Sequence, residues 1–155
     1  MREILLKAKR IDNGEWVEGS LITGVFYRLG QDIPYILCPD KADYDCFEDF
    51  TEENGIFEVN PKTICQYTGL TDNNGNKIWE NDIIKYHFGE DTAIVKYGKY
   101  QNCFDSQKAC HVGFYVDWQK GFLRKDLGYW VEMIDCNKIG SIFDDPELLK
   151  ESEQK

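Results

Sequence analysis

The chain reads as all-β, and three observations carry that expectation. Short apolar and aromatic runs, often alternating with polar residues, recur along the chain and are separated by Gly, Asn, Asp and Pro. The Asn-Gly dipeptides Asn13-Gly14 and Asn74-Gly75 stand between such runs, and both residue types tolerate the positive φ of a tight hairpin. No helical pattern alternates with the runs, so a barrel or sandwich is indicated and a βα alternation is not. With 155 residues, 42% of them hydrophobic and 14% aromatic, the chain suits one domain over 1–155 with a single substantial core.

The first hairpin is expected to run over Ile4–Lys9, turn at Asp12-Asn13-Gly14 and return through Trp16 and Val17. Leu21–Leu29 is apolar and aromatic but broken by Gly24, and Gly30-Gln31-Asp32 turns the chain into Ile33–Cys38. Pro34 there suits a strand start or an edge, because it cannot donate to a ladder. The segment Asp40–Glu58 is a compositional outlier, with Asp40, Asp43, Asp45, Glu48, Asp49, Glu52, Glu53 and Glu58 against Lys41 alone. It reads as an acidic insertion, an exposed loop or a short helix on which Tyr44, Phe47 and Phe50 share a face.

From Pro61 the strands resume. Ile83–Phe88 and Thr92–Tyr97 read as a hairpin about Gly89-Glu90-Asp91. Ile84, Tyr86 and Phe88 share one face of its first strand; Ala93, Val95 and Tyr97 share one face of its second. Tyr100–His111 is polar and irregular, Gly113–Trp118 is a strand, Leu127–Met133 is mixed, and Lys138–Phe143 is the last strand. Asp145 suits an N-cap with Pro146 at the first helical position, which predicts a short C-terminal helix at 145–150. Glu151–Lys155 should fray.

No apolar run approaches the ~18 residues of a membrane span. The opening MREILLKAKR places charges on both sides of Ile4-Leu5-Leu6 and does not resemble a signal peptide, so a soluble cytoplasmic protein is expected. In that compartment Cys38, Cys46, Cys65, Cys103, Cys110 and Cys136 read as reduced thiols packed as small apolar side chains. Cys103, Cys110-His111 and the more distant Cys136 lack the two close ligand pairs that zinc usually takes, and no cofactor is expected. The net charge of −10, from 28 acidic and 18 basic residues, sets up a field that repels duplex DNA. The basic clusters Lys7, Lys9, Arg10 and Arg124-Lys125 read as solvated strand ends.

Catalytic constellations are incomplete. No GxxxxGK[ST] or GxGxxG phosphate loop occurs. Asp72-Asn73-Asn74-Gly75-Asn76 imitates the start of a calcium loop, but Lys77 stands where that loop needs Gly; Asp72 reads better as an Asx residue closing its own turn. His87 sits mid-strand, and adjacent Cys110 and His111 diverge in extended backbone, so neither supplies a nucleophile–base pair. Glu80 and Asp82 would share a strand face and could do acid–base work, although fixing a hairpin end through backbone hydrogen bonds is the better reading. The chain is therefore expected not to be an enzyme. Among the aromatic residues, only Tyr97-Gly98-Lys99-Tyr100 interleaves rings with a cation, as base stacking requires; core or subunit interface is the preferred role for the rest.

The stretch Val59–Ile84, VNPKTICQYTGLTDNNGNKIWENDII, resembles the central signature of the YopX family of phage and prophage proteins. The matching residues are Val59, Pro61, Thr63, Gln66, Tyr67, Thr68, Gly69, Leu70, Asp72, Gly75, Ile78, Glu80, Asp82, Ile83 and Ile84. Ile4–Gly19, with Trp16 and Gly19, resembles the family's opening strand and hairpin; Ile139–Phe143 with Pro146–Leu149 resembles its closing strand and terminal helix. Asn81 stands where the family usually has Gly, and Asn is the next most tolerant of positive φ. The resemblance implies a small SH3-like barrel with inserted loops and a short C-terminal helix. It also implies a phage or prophage accessory protein in the bacterial cytoplasm, with no agreed activity. Protein–protein contact with an unidentified host or phage protein, and homo-oligomerisation, are the expected modes. The alternative is nucleic-acid handling, by single-strand binding or as an acidic DNA mimic.

Overall fold

The computed structural model describes residues 4–25, 27–28, 30–39, 55–86, 91–118 and 124–149. The chain is mainly β, as expected, with its strands paired antiparallel. It divides into two compact units, Met1–Tyr67 and Thr68–Lys155.

The first unit contains β1 (Leu6–Lys9), β2 (Trp16–Ile22), β3 (Tyr27–Arg28), β4 (Gln31–Asp32), β5 (Tyr35–Leu37), β6 (Ile56–Glu58) and the start of β7 (Cys65–Thr71). Its sheet runs β6-β5-β2-β1-β7, and β3 pairs with β4 alone. The predicted first hairpin is present, with Leu6 opposite Gly19 and Lys9 opposite Trp16. Its turn is not the two-residue Asn-Gly type. Of that dipeptide only Gly14 takes positive φ (+74°), and the longer loop closes through Arg10 N to Glu15 O (2.9 Å) and Glu15 N to Asn13 Oδ1 (2.9 Å). The strand predicted over Leu21–Leu29 breaks near Gly24, as its φ of +75° requires. Gln31-Asp32, read as part of a turn, is β4.

Strand alternation puts Ala8, Val17, Ile36, Cys38, Phe57 and Val59 into one buried cluster. Gly19 is needed inside β2, because a Cβ there would collide with the Leu37 carbonyl of β5. Most of the acidic insertion, residues 40–54, lies outside the described residues; its last part, Ile56–Glu58, is β6 and contributes buried Ile56 and Phe57. The chain does not resume as strand at Pro61. Pro61–Thr63 is a single 3₁₀ turn, capped by Asn60 Oδ1 accepting from Lys62 N (3.0 Å), with Pro at the position where a missing N–H costs nothing.

The second unit contains the end of β7, β8 (Lys77–Trp79), β9 (Asp82–Lys85), β10 (Thr92–Tyr100), β11 (His111–Trp118) and β12 (Asn137–Ser141). Four of these form a sheet in the order β11-β10-β9-β12. Its core is Ile78, Ile84, Ala93, Val95, Val116, Trp118, Leu127, Trp130, Val131 and Cys136. Trp118 and Trp130 meet edge to face at 4.6 Å between ring centroids. The mixed stretch Leu127–Met133 is helical, ending in a π-helical turn over Tyr129–Met133 that buries Trp130 and Val131. Of the predicted 83–97 hairpin, residues 87–90 lie outside the described residues, and with them Phe88, the third position of the first strand's face, and the turn residues Gly89 and Glu90. Tyr97 does not join the core: it is 54% exposed, because β10 runs past the last core layer at Val95.

The C-terminal helix is a 3₁₀ turn, Pro146–Leu149. Asp145 directs its carboxylate to Ser141 N (3.2 Å) in place of a capping role, while its carbonyl accepts from Leu148 N (3.1 Å). Residues 151–155, where fraying was expected, lie outside the described set, as does residue 150 of the predicted helix.

Candidate functional site

The signature residues build consecutive turns. Pro61 starts the 3₁₀ turn, and Tyr67, which is buried, receives its strand partner through Tyr67 N to Leu5 O (2.9 Å). Gly69 then sits inside β7 at φ +87°, a conformation that costs a residue with a Cβ roughly 1–2 kcal/mol. Thr68 braces that kink: its hydroxyl donates to Ile78 O (2.8 Å) and accepts from Leu70 N (3.2 Å). Leu70 packs against the second unit's core, whose buried members include Ile78.

Asp72 is buried and organises the next turn. Its Oδ1 accepts from Asn74 N (3.0 Å) and Asn76 N (2.8 Å), and its carbonyl accepts from Gly75 N (2.9 Å). Of Asn74-Gly75 only Gly75 takes positive φ (+82°), so the loop is a three-residue turn closed by a glycine bulge and not a two-residue hairpin. Burial pushes the Asp72 carboxyl up, but hydrogen bonds from Asn76, Lys138 N and Asn74 outweigh it and hold the group below its ordinary value of 3.8.

Glu80 lies in the turn between β8 and β9, so it does not share a strand face with Asp82, which opens β9. Asn81 takes φ +67° there, and its backbone bridges Val95 O (2.7 Å from its N) and Ile142 N (3.0 Å from its O). Asp82 is fully buried; its Oδ2 accepts from Trp79 N (2.8 Å) and pairs with Lys138 Nζ (3.0 Å). Ile83 beside it is also fully buried. Asp72 and Asp82 thus converge on Lys138, whose backbone N reaches Asp72 Oδ2 (3.1 Å) while its ammonium reaches Asp82. Lys138 carries no sequence signal for this role, since both partners are far from it along the chain.

Residues 9–150 match the family model described as YopX protein. The chain belongs to the YopX protein family. No curated protein matches its sequence.

Among the described residues of this YopX-family chain, polar and aromatic side chains gather at the far end of β10–β11. Tyr100 stacks on His111 (5.1 Å) and on Tyr115 (5.5 Å). Burial, then the nearby Asp126 carboxylate, raises the Tyr100 phenol above its usual value of 10.0. The connection Gln101–Cys110 folds onto residues 124–126 through buried Asn102, which accepts from Lys125 N (2.7 Å) and donates to Asp126 Oδ1 (3.4 Å). Asp105 Oδ2 accepts from Asn102 N (2.6 Å) and lies 3.1 Å from His111 Nε2. Arg124 Nε donates to Asp126 Oδ2 (3.0 Å), and its guanidinium covers Tyr129 at 3.8 Å. The sequence reading of Tyr100–His111 as irregular polar chain did not find this network, although Asn102, Asp105 and Asp126 are the residue types that fix loops.

The loose cysteine–histidine set does not assemble. Cys103 and Cys110 are exposed, whereas Cys136 lies in the core, where burial pushes its thiol up to about 12 and so away from the thiolate a metal requires. Among the described residues no group of three or more His, Cys, Asp or Glu is placed to hold a metal ion. The Lys7, Lys9, Arg10 cluster is not the solvated strand end that was expected. Lys7 and Lys9 lie over the Trp16 ring (4.7 and 5.4 Å), and Arg10 lies over Phe57 (4.3 Å) and pairs with Asp12. Among the described residues no helix is long and apolar enough to cross a membrane.

Proposed function

We propose that this chain is a phage- or prophage-encoded accessory protein of the bacterial cytoplasm that works by protein–protein contact, self-association included, and not by catalysis. The observation that carries the reading is the exposed end of β10–β11, where Tyr97 (54% exposed) and Val112 (64%) stand on a strand pair with Phe114. Exposed aromatic and aliphatic side chains on a rigid ribbon are suited to an interface, and Tyr is enriched in such surfaces. The carboxylates Asp72 and Asp82 are buried and engaged by backbone N–H groups and Lys138, which favours a structural role for them. Sedimentation velocity at low micromolar concentration should show a species larger than 18.1 kDa. A single monomer boundary would remove self-association from this reading.

The alternative, nucleic-acid handling, has one supporting feature: Tyr100, His111 and Tyr115 stack together with Lys125 over Tyr115 (5.8 Å). Asp105 and Asp126 stand among those rings, opposing a phosphate backbone. Gel shift against single- and double-stranded DNA over a salt series separates the two readings.

A further inference from the structure

The β10–β11 ladder keeps one register from Ala93 opposite Trp118 to Tyr100 opposite His111, with no slip. Side chains therefore alternate faces along its whole length. One face carries Ala93, Val95, Val116 and Trp118, all buried in the second unit's core. The same face continues outward through Tyr97 beside Phe114, and then Lys99 beside Val112. Tyr97 and Phe114 meet edge to face at 5.2 Å, and Tyr97, Lys99 and Val112 are exposed. Lys96, Asp117, His111, Tyr100 and Tyr115 occupy the opposite face by the same alternation. The outward continuation thus holds rings, an aliphatic side chain and one ammonium, with no carboxylate, in a chain of net charge −10. Lys99 has no ion-pair partner among the described residues, whereas Lys96 on the reverse face pairs with Asp117 (2.5 Å).

Resting on the self-association proposed above, we infer that this face is the contact between two copies of the chain, stacked face to face with β10 over β10 of the partner copy in the reverse direction. The pattern is self-complementary under that two-fold. The Tyr97–Phe114 level and the Lys99–Val112 level are two residues apart, roughly 6.6–6.8 Å along the strands. Reversal about the level between them sets each Lys99 over the Tyr97 ring of the other copy, and each Phe114 over the other copy's Val112. Both cations then meet aromatic rings and both aliphatic groups meet aromatic rings, with no carboxylate needed. The patch adds no carboxylate to the contact between two copies of so acidic a chain, since its only charge is positive.

The test is sedimentation velocity across a micromolar concentration series on the full chain and on Val112→Asp, Lys99→Glu and Phe104→Ser, with melting temperatures measured for each. Val112→Asp and Lys99→Glu should each weaken dimerisation by about tenfold or more while melting as the wild type does, because the altered side chains are exposed. Phe104→Ser, exposed but off this face, should leave dimerisation unchanged. A wild-type dimer that persists in both face variants would overturn the contact and leave self-association standing. A wild-type monomer would overturn both. A monomer that bound oligo(dT) or an acidic peptide, and lost that binding in Lys99→Glu, would overturn it too, and assign the face to that ligand.

Discussion

At the scale of single residues, most of the signature's content is backbone conformation. Gly75 takes φ +82° with open space where a Cβ would stand, so substitution there meets strain and no clash. Gly75→Val should therefore lose roughly 1–2 kcal/mol, read as a lower melting temperature, with more lost if the hairpin register slips. Asn81, at φ +67°, already tolerates its position, and Asn81→Gly should be neutral or slightly stabilising. Asp82→Asn should cost more than Glu80→Gln, since it takes the charge from a fully buried partner of Lys138. Should Glu80→Gln melt normally yet abolish a binding or complementation readout, the signature would be a functional site and its structural explanation would fail. Asp72 adds a pH dependence. Its folded carboxyl titrates below the ordinary 3.8, so its stabilisation is present above that value and is lost as pH falls through the lower folded one. Acid melts of the wild type and Asp72→Ala should converge only at the acid end of the titration. The Asn-Gly turns were legible in sequence but not their type, because the Asp72 and Asn13 side chains close longer loops than a two-residue turn. Lys138 was not legible at all: its bond to Asp72 spans 66 positions.

At the scale of elements, period-two alternation made the strands readable and short helical turns hid themselves. Val17, Ile36 and Val95 announced their strands because the pleat sends alternate side chains to one core, whereas Phe57 did not, since β6 ends a segment whose acidic composition reads as loop or short helix. Leu127–Met133 did not announce its helical turn, since Trp130 and Val131 are adjacent and buried together, which fits neither period over so short a span. The 3₁₀ turn at Pro61 had a readable sign, Asn60 before Pro61, overshadowed by the β-rich surroundings. Two elements depend on single residues. Gly19→Ala drives a methyl group into the Leu37 carbonyl between β2 and β5, so the two strands must separate; a loss of about 1–3 kcal/mol is expected, visible in a chemical denaturation curve. Asn102→Ala removes the buried amide that joins the β10–β11 connection to residues 124–126, leaving Lys125 N without its acceptor. That change should cost about 1–3 kcal/mol and speed hydrogen exchange at Lys125. Unaltered exchange there would show that another contact holds the connection.

At the scale of the whole molecule, charge decides between the readings of function. The described basic residues that sequence grouping offered as a patch are already occupied: Lys7 and Lys9 by Trp16, Arg10 by Phe57 and Asp12, Arg124 by Asp126 and Tyr129. Charge and composition, legible from sequence, pointed away from duplex DNA; the pairing of those cations is tertiary and was not legible. The two modes respond to salt with opposite signs. Nucleic-acid binding releases counterions, so it weakens steeply as salt rises. Two copies that each carry −10 repel one another at long range, and at about 0.15 M salt the screening length is already near 8 Å. A contact made through a carboxylate-free aromatic face gains from that screening, while its cation–ring pairs lose little over the same range. Dimerisation measured by sedimentation should therefore strengthen between about 0.05 and 0.5 M NaCl, whereas any DNA shift should fade. A dimer that dissociates as salt rises would mean that ion pairs hold it, and the contact would have to lie elsewhere than on Tyr97, Lys99, Val112 and Phe114.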